Sequence, residues 1–112
     1  MLTMDQRMHM YNGKKRFIDH VSKAFEDEYL MSNVKKVEYE VYERVSKMDN
    51  ESLYYSEFVV VTFVGGGKSV KNISGNSNNA NFREISQLID GGYYDELEYY
   101  SKVKESGKLL EV

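Results

Sequence analysis

The sequence predicts an α+β fold: a three-stranded antiparallel β-meander with one N-terminal helix and two C-terminal helices. Three observations carry this expectation. Phe17, Ile18, Val21, Phe25 and Tyr29 recur at helical intervals and make an apolar stripe. Val37-Glu38-Tyr39-Glu40-Val41 alternates apolar and acidic residues, and Leu53 to Val64 is a long β-branched and aromatic run. Two further helix-period segments then close the chain, which implies helices packed on one face of a small antiparallel sheet.

Thr3-Met4-Asp5-Gln6 has the form of a capping box and opens a short helix or first turn, which Gly13 is expected to interrupt. The main helix of the first half starts at Lys14 and is expected to end near Met31 to Asn33. In the next segment Val37, Tyr39 and Val41 share one face of a half-buried strand, and Glu38 and Glu40 share the other. Met48-Asp49-Asn50-Glu51-Ser52 supplies turn residues. The run after it reads as the central strand, buried on both sides over Phe58 to Phe63. Ser69 to Ser74 is a shorter strand in which Val70 and Ile73 differ in parity, so a bulge or frayed edge is expected. Gly75 to Asn79 forms a polar loop with several candidate helix caps. Ala80, Phe82, Ile85, Leu88 and Ile89 give the next helix, stopped by Gly91-Gly92. Tyr93, Leu97, Tyr100 and Val103 give the last, which ends before Gly107 and exposes Asp95, Glu98 and Lys102.

Composition narrows the function classes. The 112 residues suit a single domain with one modest core, in which residues 1–13 pack loosely. With no cysteine there is no disulfide, thiolate zinc site or cysteine nucleophile. No window approaches the length of a membrane span and the first residues lack a signal-peptide core, so a cytoplasmic location is expected. The net charge is only −3, but the charges are segregated. Residues 25–57 hold nine acids and four bases, and residues 84–112 hold seven acids and three lysines. Should the fold bring these blocks together, one face would be strongly negative and would favour a basic partner.

Val64-Gly65-Gly66-Gly67-Lys68-Ser69 ends like a phosphate-binding loop, but the place of the required first glycine is Thr62, and the residues that follow read as a strand where such a loop needs a helix. Apolar runs joined by glycines are instead a β-hairpin signal. His9 and His20 make no metal-ligand spacing, Glu26-Asp27-Glu28 lacks the ligand alternation of a calcium loop, and no Gly-x-Ser-x-Gly elbow occurs. Glu38 and Glu40 lie about 7 Å apart on one strand face, a separation that any acidic strand produces. No catalytic, metal or cofactor site is expected.

Tyrosine is the unusual residue, with ten copies and no tryptophan. Tyr94 and Tyr99 stand among Asp95, Glu96 and Glu98, and exposed tyrosines in acidic surroundings suit a protein interface better than nucleic acid. In its order of elements and its acidic, aromatic C-terminal half, the segment "FVVVTFVGGGKSVKNISGNSNNANFREISQL" followed by "IDGGYYDELEYY" resembles the small phage and mobile-element anti-CRISPR proteins. These inhibit RNA-guided type II effector nucleases. The resemblance implies a non-enzymatic inhibitor acting in the bacterial cytoplasm, with carboxylates placed where DNA phosphates would lie in the channel that reads the PAM duplex. It implies partner contacts at Asp95, Glu96 and Glu98, with Tyr94 and Tyr99 as anchors and Glu38 and Glu40 joining from the sheet. Lys68, exposed at the hairpin tip, is a further candidate contact. A homodimer is compatible with these features. The alternative is a nucleic-acid-binding accessory protein using Lys14, Lys15, Arg16, Lys68, Lys71 and Arg83; an enzyme is the third reading, for which no assembled site is visible.

Overall fold

The computed structural model describes residues 3–73, 82–92 and 95–110, without the side chains at positions 16, 20, 21, 23, 82 and 83. The elements are α1 (Met4–Glu26), α2 (Glu28–Met31), β1 (Val34–Val45), β2 (Leu53–Phe63), β3 (Lys68–Asn72), α3 (Phe82–Ile89), α4 (Leu97–Ser106) and β4 (Lys108–Leu109). The expected polar loop at 75–79 lies outside the described residues.

Consecutive strands pair antiparallel from β1 to β3, but the sheet has four strands and not three, in the order β3-β2-β1-β4. After Gly107 closes α4 the chain returns extended along the free edge of β1, pairing Leu109 with Tyr42 and Lys108 with Glu43. The Leu110 amide then donates to the Val41 carbonyl at 2.9 Å, and its side chain is buried. A two-residue strand has no alternation to read. What recruits it is an otherwise unpaired row of backbone groups on β1.

The helices lie on both faces of the sheet, which corrects the one-sided layout. Val59 and Val61 pack against Phe17 and Ala24 of α1 and Ile85, Leu88 and Ile89 of α3. Tyr42, Phe58, Val60 and Val70 pack on the opposite face against Tyr100 and Val103 of α4. The reason is in β2 itself. Phe58 to Val61 are all buried, so both parities of the strand need an apolar cover, each such side chain contributing about 1.5–3 kcal/mol.

The capping box of α1 is formed, with the Gln6 amide donating to Thr3 Oγ1 at 3.1 Å and the Thr3 amide to Gln6 Oε1 at 2.8 Å. Gly13 does not interrupt the helix. It is where the helix crosses Tyr39: a Cβ there would stand 1.9 Å from the tyrosine Oη. The helix also stops earlier than expected, at Glu26, because the Asp27 side chain accepts from the Leu30 amide and starts the separate turn α2. Among the residues expected to form one core stripe, Phe17 is buried, whereas Ile18, Phe25 and Tyr29 are 48%, 44% and 91% exposed. The helix therefore has two apolar seams, and spacing alone does not say which one meets the sheet. The side chain of Val21 lies outside the described residues.

The hairpin at the glycines is present. Phe63 donates to the Gly67 carbonyl at 2.8 Å, and Gly66 takes φ of 97°, which a side chain would strain. The strand after it keeps an unbroken register with β2. Val70 faces α4 and Ile73 the α1/α3 core, so their different parity reflects two covered faces and not a bulge. The irregularity lies instead between Val34 and Lys36 of β1. At the other hairpin Asn50 is left-handed, with φ of 55°, and the Asp49 carboxylate accepts from the amides of Glu51 and Ser52 and from the Ser52 hydroxyl.

Candidate protein-binding cleft

The last helix is seated by three kinds of contact. Tyr100 and Val103 are buried under it, and the Tyr100 ring meets Phe58 and Tyr42 edge-on at centroid separations of 5.2 and 6.1 Å. Arg44 of β1 reaches up beside it, with guanidinium nitrogens 3.5 Å from the Tyr99 hydroxyl and from Ser106 Oγ. Glu96, just before the helix, is sewn to the sheet edge: its amide donates to the Val70 carbonyl at 3.0 Å, and its carboxylate accepts from the Asn72 amide at 2.7 Å.

Between this helix start and the β3 edge lies an open cleft of about 470 Å³, lined by Asn72, Asp95, Glu96, Glu98, Tyr99 and Lys102. Four of the sequence-derived candidates thus share one concavity. Asp95 and Glu98 are exposed, and Tyr99 is 39% exposed. Asp95, one residue before the Glu96 N-cap, accepts from the Leu97 amide at 3.1 Å at the exposed surface. Glu98 has Lys102 one turn on at 3.5 Å, an exposed pair whose worth is at most a few tenths of a kcal/mol and which a cationic partner can displace.

The remaining candidates are placed differently. Glu40 lies beneath α4, where it accepts from the hydroxyls of Tyr100 at 2.5 Å and Tyr42 at 2.9 Å, so its carboxylate is spent inside the fold. Burial first, and then the hydrogen bond to Glu40, pushes the Tyr100 hydroxyl far above the ordinary phenol range. The Tyr42 hydroxyl is pushed up to about 12, chiefly by its own burial. Glu38 faces the same side but pairs with Lys36 at 3.1 Å, and neither it nor Glu40 lines the cleft. Lys68 opens β3, exposed, opposite Thr62. Tyr94 lies outside the described residues. Of the acids between residues 25 and 57, Glu38 and Glu40 share the α4 side of the sheet, whereas Glu57 and Glu43 face α1, where Tyr39 and Gln6 donate to them, so the two acidic blocks are not gathered on one face.

Sequence reasoning missed a polar cluster on the α1 side. Glu57 is 6% exposed and accepts a hydrogen bond from the Tyr39 hydroxyl. His9 stacks on Tyr55 with centroids 4.4 Å apart, and its Nε2 stands 3.6 Å from Glu57 Oε1. A signal was available. Glu57, Val59, Val61 and Phe63 share a parity, so a carboxylate on that apolar row had to find a donor inside. Among the described residues no group of three or more metal-binding side chains is assembled, and no helix is long and apolar enough to cross a membrane.

Compared with models of protein families, with curated proteins and with solved structures, the chain matches none.

Proposed function

We propose that this chain is a non-enzymatic binding module that offers the acidic cleft beside α4 to a basic surface of a protein partner, acting in the bacterial cytoplasm. The partner we infer is a phage-defence nuclease of the RNA-guided type II class. The observation that carries this reading is the convergence of Asp95, Glu96, Glu98 and Tyr99 on one open concavity. Glu96 is tied to the strand edge and Asp95 to the helix start, so the carboxylates are held on a rigid seat at little entropic cost on binding. Carboxylates so held can pair with arginines that otherwise read DNA in the PAM channel.

Distribution of the basic residues also supports a protein partner over nucleic acid. Lys68 and Lys71 pair with Thr62 and Val59 and so point to opposite faces of the sheet, while Lys14 and Lys15 belong to α1. A groove for a phosphate backbone needs its cations in one track. Arg16 and Arg83 have side chains outside the described set.

Affinity of the wild-type chain and of the double variant Asp95→Lys with Glu98→Lys for a guide-loaded type II effector nuclease is the direct test. Both positions are exposed, so the fold is retained, and reversal is expected to weaken binding by at least about thirtyfold, or about 2 kcal/mol. Undiminished binding by the variant overturns the cleft as the contact. Salt-sensitive retention of bare DNA by the wild-type chain would favour the nucleic-acid reading instead.

A further inference from the structure

The outer side of α1 carries a seam that the fold leaves uncovered. Met4, Tyr11, Ile18 and Phe25 recur every seven residues and are 75%, 70%, 48% and 44% exposed, with Met8 between the first two at 56%. At 100° per residue this seam is centred about 130° around the helix from Gly13, Phe17 and Ala24, which pack on the sheet. Written as a heptad, Met4, Tyr11, Ile18 and Phe25 take position d, and Met8, Lys15 and Ser22 take position a. A lone amphipathic helix docked on a sheet needs one stripe. The second has the period of a two-stranded coiled coil.

Charge identifies the occupant. One edge of the seam carries Asp5, Asp19 and Glu26, and the other carries Arg7 and Lys14. In a parallel pair the basic edge of one helix faces the acidic edge of the other, setting Lys14 against Asp19 of the partner subunit, twice by symmetry. In an antiparallel pair like edges meet, and the acidic edges repel. Lys15 and Ser22, polar at two of the three a positions, fit the same arrangement, since polar residues there fix register at a cost in affinity. We propose that α1 pairs with α1 of a second copy of this chain as a parallel, in-register coiled coil. The seam is on the far side of the sheet from α4, so the dimer leaves the acidic cleft open and holds independently of what the cleft binds.

Sedimentation equilibrium of the intact chain across roughly 10 µM to 1 mM tests this. A monomer–dimer equilibrium is expected, with Ile18→Glu weakening it at least tenfold while the far-ultraviolet circular dichroism stays unchanged. Lys14→Glu should also weaken it, and adding Asp19→Lys should restore it. Because the chain has no cysteine, Tyr11→Cys and Phe25→Cys report the geometry. In the parallel dimer each forms its own intersubunit disulfide. A wild-type chain that stays monomeric over that range overturns the proposal, as does a dimer in which neither cysteine cross-links.

Discussion

Gly13→Ala should destabilise this protein although it replaces the poorer helix former with the best one. At an open helical site the change would gain about 0.8–1 kcal/mol. At Gly13 the new Cβ would stand 1.9 Å from Tyr39 Oη, 2.6 Å from its Cζ and 3.0 Å from Glu57 Oε1, where contact normally begins at about 3.5 Å. The tyrosine has little room to retreat, because its ring stacks on Phe17 at 5.9 Å and its hydroxyl is the donor to buried Glu57. Moving it breaks a hydrogen bond to a charged acceptor, at about 1.5–3 kcal/mol, and overpacks the layer, at about 1–3 kcal/mol. Set against the helix gain, the net loss is about 1.5–5 kcal/mol. Urea unfolding followed by circular dichroism reads this as a midpoint lowered by about 1–3 M. In a Tyr39→Phe background the hydrogen bond is already gone, so Gly13→Ala should cost at least about 1.5 kcal/mol less. If Gly13→Ala instead raised the midpoint, the account of the His9, Tyr39 and Glu57 cluster would be wrong.

Alkaline pH should open the α4 side first. Tyr42, with its hydroxyl pushed up to about 12 from 10.0, and Tyr100, raised further, favour the folded state as neutral phenols; that stabilisation is complete below pH 10 and lost as pH rises through 12. Tyrosinate absorbance and circular dichroism should therefore change together in this window, and gradual ionisation without unfolding would contradict the network that joins Tyr42 and Tyr100 to half-buried Glu40. At the hairpin tip Gly66→Ala should cost about 1–2 kcal/mol because of its positive φ, while Gly65→Ala, with open space around it, should stay within about 0.5 kcal/mol. Equal effects would show that the turn geometry is not as described. The Asp49 carboxyl, held down to about 2 from 3.8 first by the Ser52 hydroxyl and then by backbone amides, contributes stability present above pH 3.8 and lost as pH falls through 2. Ser52→Ala should raise the Asp49 titration point in an NMR pH series, and an unmoved titration would remove the hydroxyl from the account.

The strands and hairpins were legible because their signals are local. Val37 to Val41 declares its two faces by alternation, Asp49-Asn50 and the three glycines declare their turns, and Phe58 to Val61 is apolar on both parities. That last feature calls for cover on both faces, which α1 with α3 and α4 provide and a one-sided arrangement would not. Other features depend on contacts remote in sequence. The strand Lys108–Leu109 exists through the free edge of β1, and Glu40 is occupied by Tyr100, sixty positions away. Within the candidate site, Asp95, Glu96, Glu98 and Tyr99 could be grouped from sequence because they fall within five positions. Glu96 and Glu40 proved to be braces of the fold, which no acidic pattern distinguishes from free carboxylates. Helical spacing likewise merged Phe17 with Ile18, Phe25 and Tyr29, when one belongs to the core seam and three are exposed.

Competition at the DNA channel tests the central claim most directly. A fluorescent PAM-containing duplex is titrated onto a guide-loaded type II effector nuclease, and anisotropy is read as the wild-type chain is added. The acidic-cleft account predicts that the chain displaces the duplex, and that the variant carrying Asp95→Lys and Glu98→Lys fails to do so at the same concentration. Displacement by both proteins alike, or binding of the chain with the duplex still in place, would contradict it.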